Sequence, residues 1–207
     1  MTKKLVPFFA GLASIVSQSV LIREEITVFL GNELSLGLIL STWLLGISLG
    51  SAAAGRLEPM WRKNTLSTLL IVLPVVLLSL LGAVVALRYS RDILNVPPGL
   101  LPTLGHLVLT TLLILLPGSF AIGFAFPLVC GLSRATRKGI SRIYIIEAMG
   151  SALGGLLFTF LAAGRWGGLT TLLLAHLPTT ALLPILARSK TQRGLTTAFL
   201  VLHVLTI

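Results

Sequence analysis

Glu147 stands inside an otherwise apolar run, RIYIIEAMGSALGG, one helical turn in from Ile143. A carboxylate at that depth in lipid costs a few kcal/mol unless it is paired or wetted. It is a candidate for holding a cation or a proton. The plainer alternative is an ion pair with Arg142, Arg137 or Arg56 at the same membrane edge. A second charged group, Arg23, Glu24 and Glu25, follows the first apolar run. It reads either as an entrance for cations or as an interfacial collar whose side chains snorkel to water. Gln18, about one turn before Arg23, is able to hydrogen-bond across helices, as are Ser14 and Ser17. His176, midway along another apolar run, is either a proton relay or a satisfied buried imidazole. His106 and His203 have no acidic or cysteine neighbours at ligand spacing, so neither a metal site nor a cofactor is expected. The single cysteine, Cys130, excludes an internal disulfide and reads as a small packing residue. Trp61 and Trp166 suit anchoring at a membrane interface.

Long apolar helices must position these groups. Of 207 residues, 55% are hydrophobic and 11% charged, and the mean hydropathy is +1.00. Soluble domains are charged at about one residue in four, so the class is an integral membrane protein, all-α and polytopic. The net charge of +10 does not point to nucleic acid. The basic residues sit in short clusters between apolar runs and leave no basic face for phosphates.

Six full spans are expected, at about 5–22, 34–54, 65–87, 103–129, 143–163 and 169–187. The first run, behind Lys3 and Lys4, lacks a clear cleavage site and reads as an uncleaved helix. NVPPG cannot continue a helix and separates the third span from the fourth. Pro117 and Pro127 are expected to kink the fourth run or end it near Val129. The last apolar stretch, 195–207, reaches roughly 20 Å at 1.5 Å per residue, short of the ~30 Å hydrocarbon core. It reads as a partial seventh span of a shortened chain, or of one whose remainder follows.

Counting basic residues orients the helices. With the N-terminus inside, the inner segments hold Lys3, Lys4, Arg56, Arg62, Lys63, Arg134, Arg137, Lys138, Arg142, Arg188, Lys190 and Arg193, twelve of the sixteen. Arg23, Arg88, Arg91 and Arg165 fall outside. That alternating bias supports six crossings with the N-terminus in the cytoplasm.

Three motifs carry a family resemblance. The segment from GLASIVSQSVLIREE through STWLLGISLGSAAAGR resembles the opening of the membrane domain of bacterial spermidine-synthase-like integral membrane proteins. PGSFAIGFAFPLVCGLSR is similar to the proline- and glycine-bearing fourth helix of that family, and RIYIIEAMGSALGG to its fifth. The turn after Gly50 also resembles the loop between helices two and three of major facilitator transporters, without that motif's acidic residue near Ala54 or Gly55. The resemblance implies half of a major-facilitator-like bundle in a bacterial inner membrane. Family members commonly add an aminopropyltransferase-like domain. This chain has no glycine-rich loop after a strand and no Asp-rich segment, its one Asp being Asp92, so no catalytic residue is expected.

Small residues mark where helices approach closely. Gly46, Gly50 and Ala54 form one stripe in the second span; Gly150 and Gly154, with Ser151 and Gly155 beside them, form another in the fifth. These spans are equivalent if spans one to three and four to six are two repeats, as in half of a major facilitator fold. Either the stripes are satisfied inside one bundle, or they await a second copy or another subunit.

Two functions are in view. One is a non-catalytic membrane anchor or scaffold that engages a partner through these stripes or through its basic loops. The other is a half-size, dimerising transporter that moves a small cationic solute, such as a polyamine, past Glu147 and the Glu24/Glu25 collar.

Overall fold

The computed structural model of the protein describes residues 2–31, 33–97, 100, 102–132, 137–187 and 189–207. Arg134 and Arg188 lie outside the described residues, as do the side chains of Lys3, Lys4, Arg137 and Lys138.

Apolar runs become helices because only a helix satisfies every backbone group without water. In order these are α1 (Thr2–Phe29), α2 (Glu33–Arg56), the short α3 (Glu58–Trp61), α4 (Thr65–Ile93), α5 (Leu104–Leu132), α6 (Arg137–Leu157), α7 (Gly168–Leu186) and α8 (Lys190–Leu205). A tight 3₁₀ turn, Arg62–Asn64, joins α3 to α4, and a wide π turn, Phe158–Ala162, ends α6. Six helical segments are long and apolar enough to cross a membrane: Leu5–Phe29, Glu33–Arg56, Glu58–Ile93, Leu104–Leu132, Gly139–Ala162 and Gly168–Leu186. The protein is an all-α polytopic bundle.

Several boundaries differ from those expected. α1 does not stop at residue 22 but carries Arg23, Glu24 and Glu25 in its last turns, because Glu24 and Glu25 find partners on α4 and α5 and Arg23 on the turn before α7. α5 runs through both Pro117 and Pro127 to Leu132, held on two sides by α2 and α4. The final helix starts at Lys190 rather than 195. There Ser189 and Gln192 form a reciprocal capping box, with the Ser189 hydroxyl accepting from the Gln192 N–H at 3.1 Å. At sixteen residues α8 is too short to span alone. It packs on α7, where the His203 Nε2–H donates to the Leu173 carbonyl at 2.9 Å.

The pairing of helices has an internal symmetry. α2 packs chiefly on α5, and α1 on α6; α4 packs on α5, and α1 on α7; α4 and α7 meet each other. Exchanging α1 with α5, α2 with α6 and α4 with α7 maps this set onto itself. Three crossings bring the second triplet in from the opposite side, so the relation is an inverted one.

The close contacts give its register. The Gly11 Cα faces the Glu147 carbonyl, and Gly150 faces the Phe8 carbonyl. At the symmetry-related crossing Gly123 faces the Ile47 carbonyl and Gly50 the Phe120 carbonyl. Phe8, Gly11 and Ala13 therefore correspond to Phe120, Gly123 and Ala125, and the Gly50-Ser51-Ala52 run to Gly150-Ser151-Ala152. Gly46 and Gly150, which the spacing alone pairs, are one turn out of register.

Both small-residue stripes are filled within the chain. Gly46 and Gly50 lie against Ser119, Phe120 and Phe124 of α5; Gly150 and Gly154 lie against Phe8, Leu12 and Ile15 of α1. Ala54 is fully buried, and the Ser151 hydroxyl donates to the Gly11 carbonyl at 3.1 Å. Only Gly155 of this set faces open space. The outward faces of α2 and α6 carry Leu44, Leu45, Leu49, Ile145, Met149 and Leu156, all exposed, as lipid-facing helices require.

Trp61 is not an interfacial anchor. It is 7% exposed and packs on Gly131, and its indole N–H donates to the Ala54 carbonyl at 2.8 Å. That bond satisfies one of the carbonyls left free at the end of α2. Trp61→Phe keeps the ring and removes the donor, so it should lower stability by about 1 kcal/mol. A thermal melt of the detergent-solubilised protein reads this, and an unchanged midpoint would contradict it.

Candidate functional site

The basic turns meet at one end of the bundle. The turn after α2, the end of α5, the start of α6 and the start of α8 enclose a cleft of about 960 Å³, lined among others by Glu58, Arg62, Lys63, Cys130, Ile140 and Gln192. Arg56, Arg62, Lys63 and Arg142 are exposed there or nearby on the same helix ends, as a solvated face requires. Arg62 and Glu58 form an exposed pair at 3.7 Å, worth little in water.

A smaller cavity of about 230 Å³ lies deeper among α1, α2, α4, α5, α6 and α7. Ser51, Phe126 and Tyr144 line both spaces, and the Phe126 and Tyr144 rings are 4.7 Å apart between centroids. Glu147 lines the inner cavity with Ser14, His176 and Thr179. Eight residues into its span, it sits about 12 Å along the helix axis. Of the basic partners expected for it, none of the described side chains is within ion-pair distance. Arg56 and Arg142 point to solvent instead. Glu147 is half-buried and lines the cavity.

Two neighbours complete the polar wall. The Thr179 hydroxyl is buried, lines the cavity and has no hydrogen-bond partner among the described residues. His176 is 5% exposed, with its Nε2 3.0 Å from the Ser17 Oγ. The Ser17 hydroxyl donates to the Ala13 carbonyl at 2.6 Å, so its oxygen accepts from the Nε2–H of His176. Of the two roles weighed for His176, the satisfied buried imidazole describes this edge of the ring, while the ring also borders the cavity. Thr179 is readable in the sequence only as the residue one turn after His176. Tyr144 precedes Glu147 by the same spacing.

The opposite wall is largely apolar, and the internal symmetry describes part of the division. The register pairs Ile47 with Glu147 and Phe126 with Ser14, and Leu73 and Val76 of α4 line the cavity with His176 and Thr179 of α7. All eight line the cavity, which therefore sits on the pseudo-two-fold axis. α1, α6 and α7 supply most of its polar groups, with Ser51 of α2 beside them; α4, α5 and Ile47 of α2 supply most of its apolar surface.

The Arg23, Glu24, Glu25 group does not join this site. Glu24 makes a bidentate pair with Arg88, at 2.9 and 2.7 Å, and packs against Gly168. Arg23 donates to the Trp166 carbonyl at 3.3 Å. Arg91 donates to the carbonyls of Val28, Pro97 and Leu100 at 2.7, 2.7 and 2.9 Å, tying the loop after α4 to α1. These contacts clamp helix ends together rather than open an entrance. Glu25 is fully buried and accepts a hydrogen bond from Thr111, while its second oxygen has no partner among the described residues. Gln18 is half-buried on α1 and lines neither space. His106 is exposed near the start of α5. Among the described residues, no three His, Cys, Asp or Glu side chains gather as a metal ion would need.

Six apolar helices make this a multi-pass membrane protein with a two-sided internal cavity. No family model, curated protein or solved structure matches the chain.

Proposed function

We propose that the protein binds a small cationic solute at Glu147 and carries it through a bacterial inner membrane, with its N-terminus and basic turns in the cytoplasm. The observation that carries this reading is a carboxylate with no basic partner among the described residues, lining a cavity that adjoins a wide cleft. A charge is tolerated at such a depth where water or a ligand reaches it. The basic mouth does not oppose a cation strongly. Arg62 is 76% exposed and faces Glu58, and at physiological salt exposed charges are screened beyond about 8 Å. The basic-residue bias supports the orientation, and the three motifs resembling spermidine-synthase-like membrane proteins support the compartment. Dimerisation of two such halves remains part of this reading. Anchoring of a partner has less to recommend it, since the glycine stripes it would use are covered by α5 and α1.

The experiment is uptake into proteoliposomes of radiolabelled spermidine, methylammonium and phenethylammonium, each offered separately. Glu147→Gln preserves shape and removes the charge, and should cut uptake of the transported cation by about tenfold or more, equal to some 1.4 kcal/mol. Uptake that is independent of Glu147, in protein that elutes as wild type, would sink the proposal.

A further inference from the structure

Resting on that reading of Glu147, we infer that the inner cavity takes an organic monocation with an apolar body, an alkyl- or arylammonium, and not a polyamine or a bare metal ion. The inference comes from the division of the cavity into two chemically unlike walls by its own pseudo-symmetry.

The lining holds one carboxylate. Its symmetry mate is Ile47, so a ligand with a second ammonium group would place that charge against hydrocarbon. A buried charge without a partner is costly enough to exclude such a pose. Phe126 continues the apolar wall at the position where Ser14 stands on the other, with Leu73 and Val76 of α4 also lining it. A bare cation asks for six or more oxygens around it, and the described lining offers one carboxylate and a few scattered hydroxyls, those of Ser14, Ser51, Tyr144 and Thr179. An ammonium has three N–H donors on one face and a carbon chain behind them. Glu147 and the unpartnered Thr179 hydroxyl meet the donors, and the hydrophobic effect holds the chain against Ile47 and Phe126. The cavity, about 230 Å³, has room for a small alkyl- or arylammonium.

The test is equilibrium binding to the full chain in detergent, with phenethylammonium, methylammonium, spermidine and sodium ion as probes. Phenethylammonium should bind at least about tenfold more tightly than each of the other three, and Glu147→Gln should erase that binding. Ile47→Glu, which restores a carboxylate to the symmetry-related position, should weaken phenethylammonium about tenfold and strengthen spermidine. Val76→Thr, which sets a hydroxyl into the apolar wall, should weaken phenethylammonium severalfold. Glu147-dependent binding in which spermidine or sodium equals or exceeds phenethylammonium would overturn the assignment of class while leaving the cation site standing. Binding of no probe in a Glu147-dependent way would overturn both.

Discussion

Gly150→Leu should prevent recovery of a folded protein, whereas Gly155→Leu, one residue further from the stripe's centre, should behave as wild type. A Cβ at Gly150 would run into the backbone carbonyl of Phe8 on α1, while one at Gly155 meets nothing. A flexible side chain can swing aside, but a helix backbone cannot. The two helices would have to separate along their crossing, where Gly11, Ser151 and Gly154 also rely on close approach. Overpacking a core ordinarily costs 1–3 kcal/mol; with backbone as the obstacle we expect more than about 3 kcal/mol. In lipid, such packing supplies most of the drive for helices to associate. Gly50→Leu should fail in the same way, because it meets the Phe120 carbonyl at the equivalent crossing. The measurement is the monodisperse fraction on detergent size exclusion, followed by a thermal melt. A Gly150→Leu protein that melts like wild type would show that the α1–α6 crossing is not as close as described.

The second large effect concerns Glu25. Thr111→Val should destabilise the bundle by about 1–3 kcal/mol, since it removes the hydroxyl donor to a fully buried carboxyl whose other oxygen is already without a partner. Val fills the same volume, so little of the loss comes from packing. Adding Glu25→Met should return the protein to wild-type stability or above it, because replacing a buried polar set by apolar groups of similar size is often neutral or favourable. Thermal melts of the two single variants and the double form a cycle that isolates the pair. A Thr111→Val protein as stable as wild type would mean that Glu25 finds another donor. If Glu25→Met is stable yet loses solute uptake, Glu25 serves transport as well as packing.

Much of this architecture was legible in the amino-acid order. Apolar length dictated six spans, because a bilayer leaves the backbone no other way to satisfy its hydrogen bonds. The basic clusters marked turns that do gather at one end of the bundle. The glycine stripes marked close crossings, and Gly164, at φ 78°, marks the break after the fifth span. Helix ends were less legible. Charges such as Glu24 look like terminators until Arg88, sixty-four residues away, is seen to pair with it across neighbouring helix ends. Proline in α5 looks like a breaker until neighbouring helices hold it.

What only the tertiary structure decided is which small residues face which helix, and what surrounds Glu147. Spacing within one helix fixes a stripe but not its partner, so Gly46 and Gly150 look equivalent when Gly50 and Gly150 are. An isolated carboxylate in an apolar run is equally compatible with an arginine partner and with a cavity. The choice depends on six helices converging on one axis and setting Glu147 across from Ile47. Local sequence carries no record of that juxtaposition, since the two residues belong to opposite repeats and meet only when the bundle closes.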